Sequence, residues 1–292
     1  MEFIKKPELK PLLETRHPHQ RDAYIHFEEK SHTYTIDLTS PHKPYTSVTT
    51  WIHTLFPSFD ADKIINNMMR SKNWPKSRYF GLNKDEIKAS WETNRDQAAT
   101  SGTNMHFLIE CFYNLESDQQ RELMDRCSTL PISPDTLPVE FSYFLKYENE
   151  LKDHEILPEY DLTPYRTEWT IFDEELFMAG SVDMIYKCRK TGELVIADWK
   201  RSKEIKKTNA WESAKVECIS HIPNSNFWHY SLQLNLYKYI LEKCYGEKVV
   251  ELFLVCLHPD NPNKGYIRYK VPILYDEIES LIEYRKQQII EK

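Results

Sequence analysis

Several patterns that would mark a specialised protein class are missing from this sequence. No run of about eighteen apolar residues occurs, so a membrane-spanning helix is not expected. The opening stretch, MEFIKKPELKPLLETRHPHQRD, has no apolar core of the kind a secretory signal peptide requires. The expectation is an intracellular, soluble protein with no membrane partner. Internal repeats and low-complexity linkers are also absent, which excludes repeat architectures. The six cysteines (Cys111, Cys127, Cys188, Cys218, Cys244 and Cys256) never fall in a C-x-x-C spacing. A zinc or iron–sulfur framework is therefore not expected, and most of these thiols read as small buried hydrophobes. Excess positive charge is missing too: 45 acidic residues outnumber 38 basic ones, for a net charge of -7. A polyanionic partner would have to be met by a local basic patch.

What is present is enough apolar material to fold. With 292 residues, 40% of them hydrophobic, the chain can build one large domain or two modest ones. After a polar N-terminal tail with one short strand, HTYTID (together residues 1–45), residues 46–155 read mainly as helices. YTSVTTWIHTLF starts a helix capped by Thr46 or Ser47, and Asn83 opens a second over KDEIKASWETNRDQAAT. Gly102 and Thr103 open a third over GTNMHFLIECFYN, and VEFSYFLKYENELKDH makes a fourth. Residues 156–292 change character. YRTEWTIF, FMAGSVDMIYKC and ELVIADWK are successive strands, the last two joined by the turn RKTGE. A helix, HYSLQLNLYKYILEKCYG, stops at Gly246. The strand KVVELFLVCLH, an edge strand GYIRYKV and a terminal helix from Leu274 follow. This order predicts an α/β or α+β core with helical material in front of it.

The chemistry concentrates in one apolar strand, LVIADWK. Side chains two apart on a strand share a face, so Asp198 and Lys200 point the same way. If the hairpin turns on Lys190–Thr191, Asp183 lies opposite Asp198; if it turns on Thr191–Gly192, Asp183 faces Lys200 instead. A bulge or a three-residue loop would break this parity. Two carboxylates roughly 5 Å apart repel unless a cation sits between them or one is protonated. A hard divalent ion, magnesium or manganese, suits such a pair. Two acids, a lysine and a metal are the groups that phosphodiester hydrolysis requires. A lone D-x-K can also be an ordinary ion pair at a strand end.

GSVDMIY, ELVIADWK and QLNLYKY together resemble the PD-(D/E)XK nuclease superfamily in its RecB-like branch. WETNRDQAATSGTNMHFLIE is similar to that branch's A…GT..H helix, found in the mitochondrial genome maintenance exonuclease and in CRISPR adaptation nucleases. The resemblance spans roughly residues 91 to 258, and SVTTWIHTLFPSFDADKII looks like segments of nuclease-like proteins of large DNA viruses and phages. It implies a restriction-endonuclease-like core: a mixed central sheet flanked by helices, with a helical N-terminal half covering the site. It implies His106, Asp183, Asp198 and the Trp199 carbonyl as metal ligands, and Lys200 as the catalytic lysine. Glu168 matches an acidic position near the site, and Gln233 and Tyr237 would contact DNA or hold the lysine. Glu110, one turn after His106, would back the site or be a solvated charge. The cysteine spacing does not match the iron–sulfur members of the branch.

Directly after Lys200 come Arg201, Lys203, Lys206 and Lys207, and a second basic stretch runs from Lys63 to Arg78 with Trp74 and Tyr79 interleaved. Cations mixed with aromatics suit single-stranded DNA; a solvated charged face is the alternative. The functional expectation is a magnesium- or manganese-dependent deoxyribonuclease without an iron–sulfur cluster. It would act as an exonuclease on single strands or DNA ends, alongside a helicase or other replication, recombination or repair partners. A viral source would place it in the host cytoplasm or nucleus. An endonuclease of the same fold, and a DNA-binding subunit with little catalysis, are the alternatives.

Overall fold

The computed structural model describes residues 12–28, 31–38, 44–133 and 136–291. Residues 1–11 of the expected polar tail lie outside the described residues. Short helix α1 (Leu12–Arg16) leads into a two-stranded antiparallel ribbon of β1 (Ile25–Glu28) and β2 (Thr33–Ile36). Then come β3 (Thr46–Ser47) and the helices α2 (Val48–Thr54), α3 (Ala61–Arg70), α4 (Lys84–Tyr113), α5 (Ser117–Thr129) and α6 (Val139–Lys152). The second half comprises β4 (Leu162–Asp173), β5 (Met178–Cys188), β6 (Leu194–Lys200), α7 (Asn226–Cys244), β7 (Val249–Cys256), β8 (Ile267–Lys270) and α8 (Tyr275–Ile290). The result is a mixed α/β architecture whose central sheet, ordered β3-β5-β6-β7-β8 with β4 on the other edge of β5, has mixed strand orientation. β6 and β7 run parallel with α7 as the crossover, whereas β4–β5, β5–β6 and β7–β8 are antiparallel. No helix among the described residues is long and apolar enough to cross a membrane.

The unbroken apolar run of β6 follows from its central place. Both faces are covered, so Leu194 through Trp199 are all buried. On one face Leu194 and Ile196 join Leu252 and Leu254 of β7 against Trp51 and Ile52 of α2, Leu234 and Tyr237 of α7, and Leu281 of α8. On the other, Val195, Ala197 and Trp199 join Phe253 and Val255 against Phe112 of α4 and Phe144 and Tyr147 of α6. The Trp199 ring meets Phe144 and Tyr147 edge-on at 5.6 and 5.5 Å. Full burial of each such side chain stabilises by about 1.5–3 kcal/mol. The helical first half thus shares a core with the sheet.

Two local features carry the helices. Ser47 caps α2, its hydroxyl accepting the Thr50 N–H at 3.0 Å. Asn83 and Glu86 form a reciprocal capping box at the start of α4. The expected helix break at Gly102 does not occur: α4 runs through it for 30 residues. Gly102 has no left-handed φ, and a side chain built there would meet nothing within 4 Å. Such a glycine weakens a helix by about 1 kcal/mol relative to alanine but does not stop it. Gly246, by contrast, has φ +68°, and the N–H groups of Tyr245 and Glu247 both return to the Leu241 carbonyl, ending α7 as expected.

Candidate active site

The β5–β6 hairpin settles the register left open above. Cys188 and Glu193 close a loop over 189–192, with Gly192 at φ +75°, and the ladder runs from Lys187 opposite Leu194 to Met184 opposite Ala197. Of the two registers, this is the one in which Asp183 faces Asp198. The ladder ends one step before that pair. The Trp199 N–H, instead of joining a backbone carbonyl of β5, donates to Asp183 Oδ2 at 2.9 Å. The two acids therefore sit where the strands part.

Asp198 is 1% exposed. Lys200 Nζ lies 2.7 Å from its Oδ2 as a buried ion pair, and no other donor reaches that oxygen. Its Oδ1 takes a long 3.5 Å bond from Gln233 Nε2, which also donates to Tyr237 Oη at 3.2 Å. Gln233 and Tyr237 are both buried, so they brace Asp198 from beneath rather than holding Lys200, and neither faces solvent. The backbone at Gly180 makes room for Tyr237. A Cβ there would stand 2.6 Å from the ring's Cε1, far inside contact distance. The Lys200 ammonium lies 4.4 Å over the ring of Tyr230, one turn before Gln233 on α7. Sequence reasoning missed Tyr230, although its i, i+3 spacing to Gln233 was visible.

The other wall is built from β4 and α4. Glu168 lies between Thr167 and Trp169, which pair with Met184 and Val182, so the register sets it across from Asp183. Its own φ is +45°, a left-handed conformation rare for a non-glycine residue in a strand. Ser181 donates to Glu168 Oε2 at 3.0 Å. His106 arrives from α4 with Nε2 3.0 Å from the Trp199 carbonyl, and Nδ1 3.5 Å from Glu168 and 3.6 Å from Asp183. Ligand atoms of His106, Glu168 and Asp183 all lie within 4.8 Å of one another, a spacing that can hold a metal ion. Asp198 stands outside this trio, across the strand parting from Asp183 and ion-paired to Lys200. The Trp199 carbonyl is turned to His106.

The electrostatics reflect this crowding. Burial, reinforced by the Asp183 charge and only partly offset by Lys200, pushes the Asp198 carboxyl up to about 6. Burial and Glu168 raise Asp183 as well, against the pull of His106 and Lys200. Burial alone would lower His106, but Asp183 and Glu168 outweigh it and raise it to about 9. Lys200 is likewise raised despite burial, held charged by Asp198 and Asp183.

The basic residues after Lys200 are less available than the sequence suggests. Arg201 Nε binds Glu140 at 2.6 Å, Lys203 pairs with Asp260 at 3.0 Å and Lys206 with Glu204 at 3.4 Å. Lys207 lies 4.6 Å over the Phe227 ring. In the second basic stretch, Asp60 caps α3 at Lys63, and Trp74 begins a short 3-10 turn with its ring 5.9 Å from that of Phe80. No protein-family model matches the chain, and no curated protein matches it.

Proposed function

We propose that this chain is a divalent-metal-dependent deoxyribonuclease with a PD-(D/E)XK core, using magnesium or manganese. The observation that carries the proposal is Asp183 facing Asp198 where β5 and β6 part, with Lys200 on one side and His106 and Glu168 on the other. Charge balance supports it. Glu168, Asp183 and Asp198, when ionised, carry three negative charges against the one positive charge of Lys200, and a single divalent cation meets the remaining two once His106 is neutral. The donor set, carboxylate oxygens with one imidazole, suits these ions. The buried Asp198 Oδ2, met only by the Lys200 ammonium at 2.7 Å, keeps a lone pair that an ion can take.

In this role His106, Glu168, Asp183 and Asp198 would hold the ion. With Nε2–H given to the Trp199 carbonyl, His106 turns the Nδ1 lone pair toward the acids. The bound ion would polarise a phosphate oxygen and make an adjacent water more acidic. Lys200, fixed between Asp198 and the Tyr230 ring, orients the attacking water and offsets charge developing on the phosphate oxygens. Gln233 keeps Asp198 in place, and Tyr237 keeps Gln233 in place. The water oxygen bonds to phosphorus as the ester oxygen leaves and takes up a proton. The preference for single strands or free ends rests on the resemblance to the mitochondrial and CRISPR-associated nucleases alone.

The test is digestion of linear DNA labelled at either end, beside a closed circle, with magnesium or manganese. Loss of label from an end with the circle intact is the expected result and gives the polarity. Cutting of the circle would indicate an endonuclease, and intact DNA under both ions would overturn the hydrolytic proposal.

A further inference from the structure

The loop from β6 to α7 carries a feature that the hydrolytic site does not use. Trp211 is 92% exposed, yet the backbone presenting it is firmly tied. Asn209 Oδ1 accepts the N–H groups of Trp211 and Glu212 at 3.0 and 3.2 Å, and Asn209 Nδ2 donates to the Asn224 carbonyl at 2.7 Å. The Asn224 N–H returns to the Glu212 carbonyl at 2.9 Å, and its side chain donates to Glu212 Oε2 at 2.9 Å. An indole held out by an ordered loop is a fixed flat surface on which a planar group can stack.

Beside the indole lies a hollow of about 530 Å³, lined by Trp211, Lys206, Glu204, Ser225 and Asn226 among others. One wall is the N-terminus of the 19-residue helix α7, whose dipole attracts anions, although its Phe227 N–H is already given to the Lys206 carbonyl at 3.2 Å. Ser225 is the N-cap residue, but it makes no capping bond. It is only 8% exposed, and its buried hydroxyl has no hydrogen-bond partner. A serine at an N-cap ordinarily spends that oxygen on the helix's own amides. Asn226 cannot serve it, since its Oδ1 holds the Lys206 N–H at 2.8 Å and its Nδ2 the Glu204 carbonyl at 2.7 Å. Lys206 supplies the positive charge, and the Glu204 carboxylate, 3.4 Å from its ammonium, would have to yield it to a stronger anion.

We propose that this hollow is a nucleotide subsite for a single nucleic-acid strand. A backbone phosphate seats at the start of α7 on the Lys206 ammonium, and on the Ser225 hydroxyl once a χ1 rotation turns it out of its buried position, and the neighbouring base stacks on Trp211. Stacking on a fixed aromatic beside a phosphate contact is how single strands are held without sequence preference. The polymer, though not the site, rests on the nuclease proposal. The loop begins at Lys200, and Ser225 stands five residues before Tyr230, about 7.5 Å along the helix axis. The subsite would therefore grip the strand within a few nucleotides of the bond being cut.

The test uses the full chain in EDTA, so that no cleavage enters. Fluorescence anisotropy measures binding of a labelled oligothymidylate of about twelve nucleotides, within the span that single-strand grooves cover, and of an abasic strand of equal length. The intact protein should prefer the oligothymidylate. Trp211→Ala should weaken that binding about ten-fold and erase the preference, while Trp211→Phe retains most of it. Ser225→Ala should weaken both probes about equally, and Lys206→Ala should lower the salt slope by about 0.7. Equal binding of the two probes by the intact protein, no binding at all, or unchanged binding by both Trp211→Ala and Ser225→Ala would overturn the subsite. Because no metal is present, binding as expected with no cleavage under any ion would sink the nuclease and leave the subsite standing. Cleavage with indifferent Trp211 and Ser225 variants would do the reverse.

Discussion

Two acidic clusters lie on the same group of strands, and they differ in how their charges are met. At the end of β4, Asp173 is fully buried, yet its Oδ1 caps the N–H groups of Glu175 and Leu176 at 2.8 and 3.1 Å, and its Oδ2 holds Lys243 at 3.0 Å. Glu175 shares Lys243 at 2.7 Å, and Glu174 is clasped by Arg21. With Cys244 nearby, this group too has the spacing to hold a metal. Two of its carboxyls, however, are shifted downward: Glu175 by its bond to Lys243, and Glu174 by Arg21 in spite of burial. At the β5–β6 parting, Asp183 and Asp198 are shifted upward, chiefly by burial. The first cluster is satisfied by the protein itself, whereas the second is short of positive charge. Proximity of acids is therefore a poor sign of a site, and the direction of their shifts is a better one.

The largest expected effect separates the clusters by function. Lys200→Ala should lower DNA cleavage by about 10³-fold or more, as loss of a transition-state charge partner does, with an unchanged circular dichroism spectrum. Lys243→Ala should leave the cleavage rate of the folded protein unaltered. Full activity in Lys200→Ala would dissolve the functional distinction.

Next comes stability at the satisfied cluster. Asp173→Ala removes two backbone caps and the counter-ion of Lys243, and should cost on the order of 3 kcal/mol in urea unfolding, as breaking a buried pair does. A loss within experimental error would mean that the cluster is decorative.

The opposite sign is expected at the strained one. In EDTA at pH 8, Asp198→Asn should raise the melting temperature, with a gain of roughly 2 kcal/mol from relief of a buried charge. Because folding raises the Asp198 carboxyl from 3.8 to about 6, the folded state binds the extra proton in that range. Stability from this group is complete below about pH 4 and is lost as pH rises through 6. The benefit of Asn should accordingly fade on acidification and vanish near pH 4. Glu174, shifted downward, should behave in reverse, its contribution present at neutral pH and lost as pH falls below the usual carboxylate range. Saturating magnesium or manganese should stabilise the wild type, by about 2.7 kcal/mol at a hundred times the dissociation constant. It should do so less in Asp183→Asn and equally in Asp173→Ala once referred to each variant's own baseline.

The smallest effect probes the packing beneath the site. Gly180→Ala places a methyl group against the Tyr237 ring and should cost about 1–2 kcal/mol by overpacking. Since Tyr237 positions Gln233, metal affinity measured by calorimetry should fall with it. An unchanged affinity would show that the Tyr237–Gln233–Asp198 chain does not reach the ion.

Much of this was legible in the sequence. The alternation and turn residues of 165–200 place three strands, Gly246 ends α7, and the two-residue spacing of Asp198 and Lys200 puts them on one face, because backbone periodicity and turn chemistry act over a few residues. The hairpin narrowed Asp183 to two partners, and only the four-residue loop closed by Gly192 chose Asp198. Three-dimensional packing decided the rest. Glu168 turns toward Asp183 through a left-handed backbone that no local pattern announces, and His106 meets the Trp199 carbonyl from 93 positions away. Tyr230 comes to lie under Lys200 through the docking of α7. Glu140 and Asp260, remote in sequence, take up Arg201 and Lys203, which composition alone offered to DNA. The sequence determines which groups are charged and which face of a strand they occupy, since those depend on covalent neighbours. Whether a charge is answered depends on groups brought in from elsewhere, and burial makes the unanswered one costly, which only the folded chain decides.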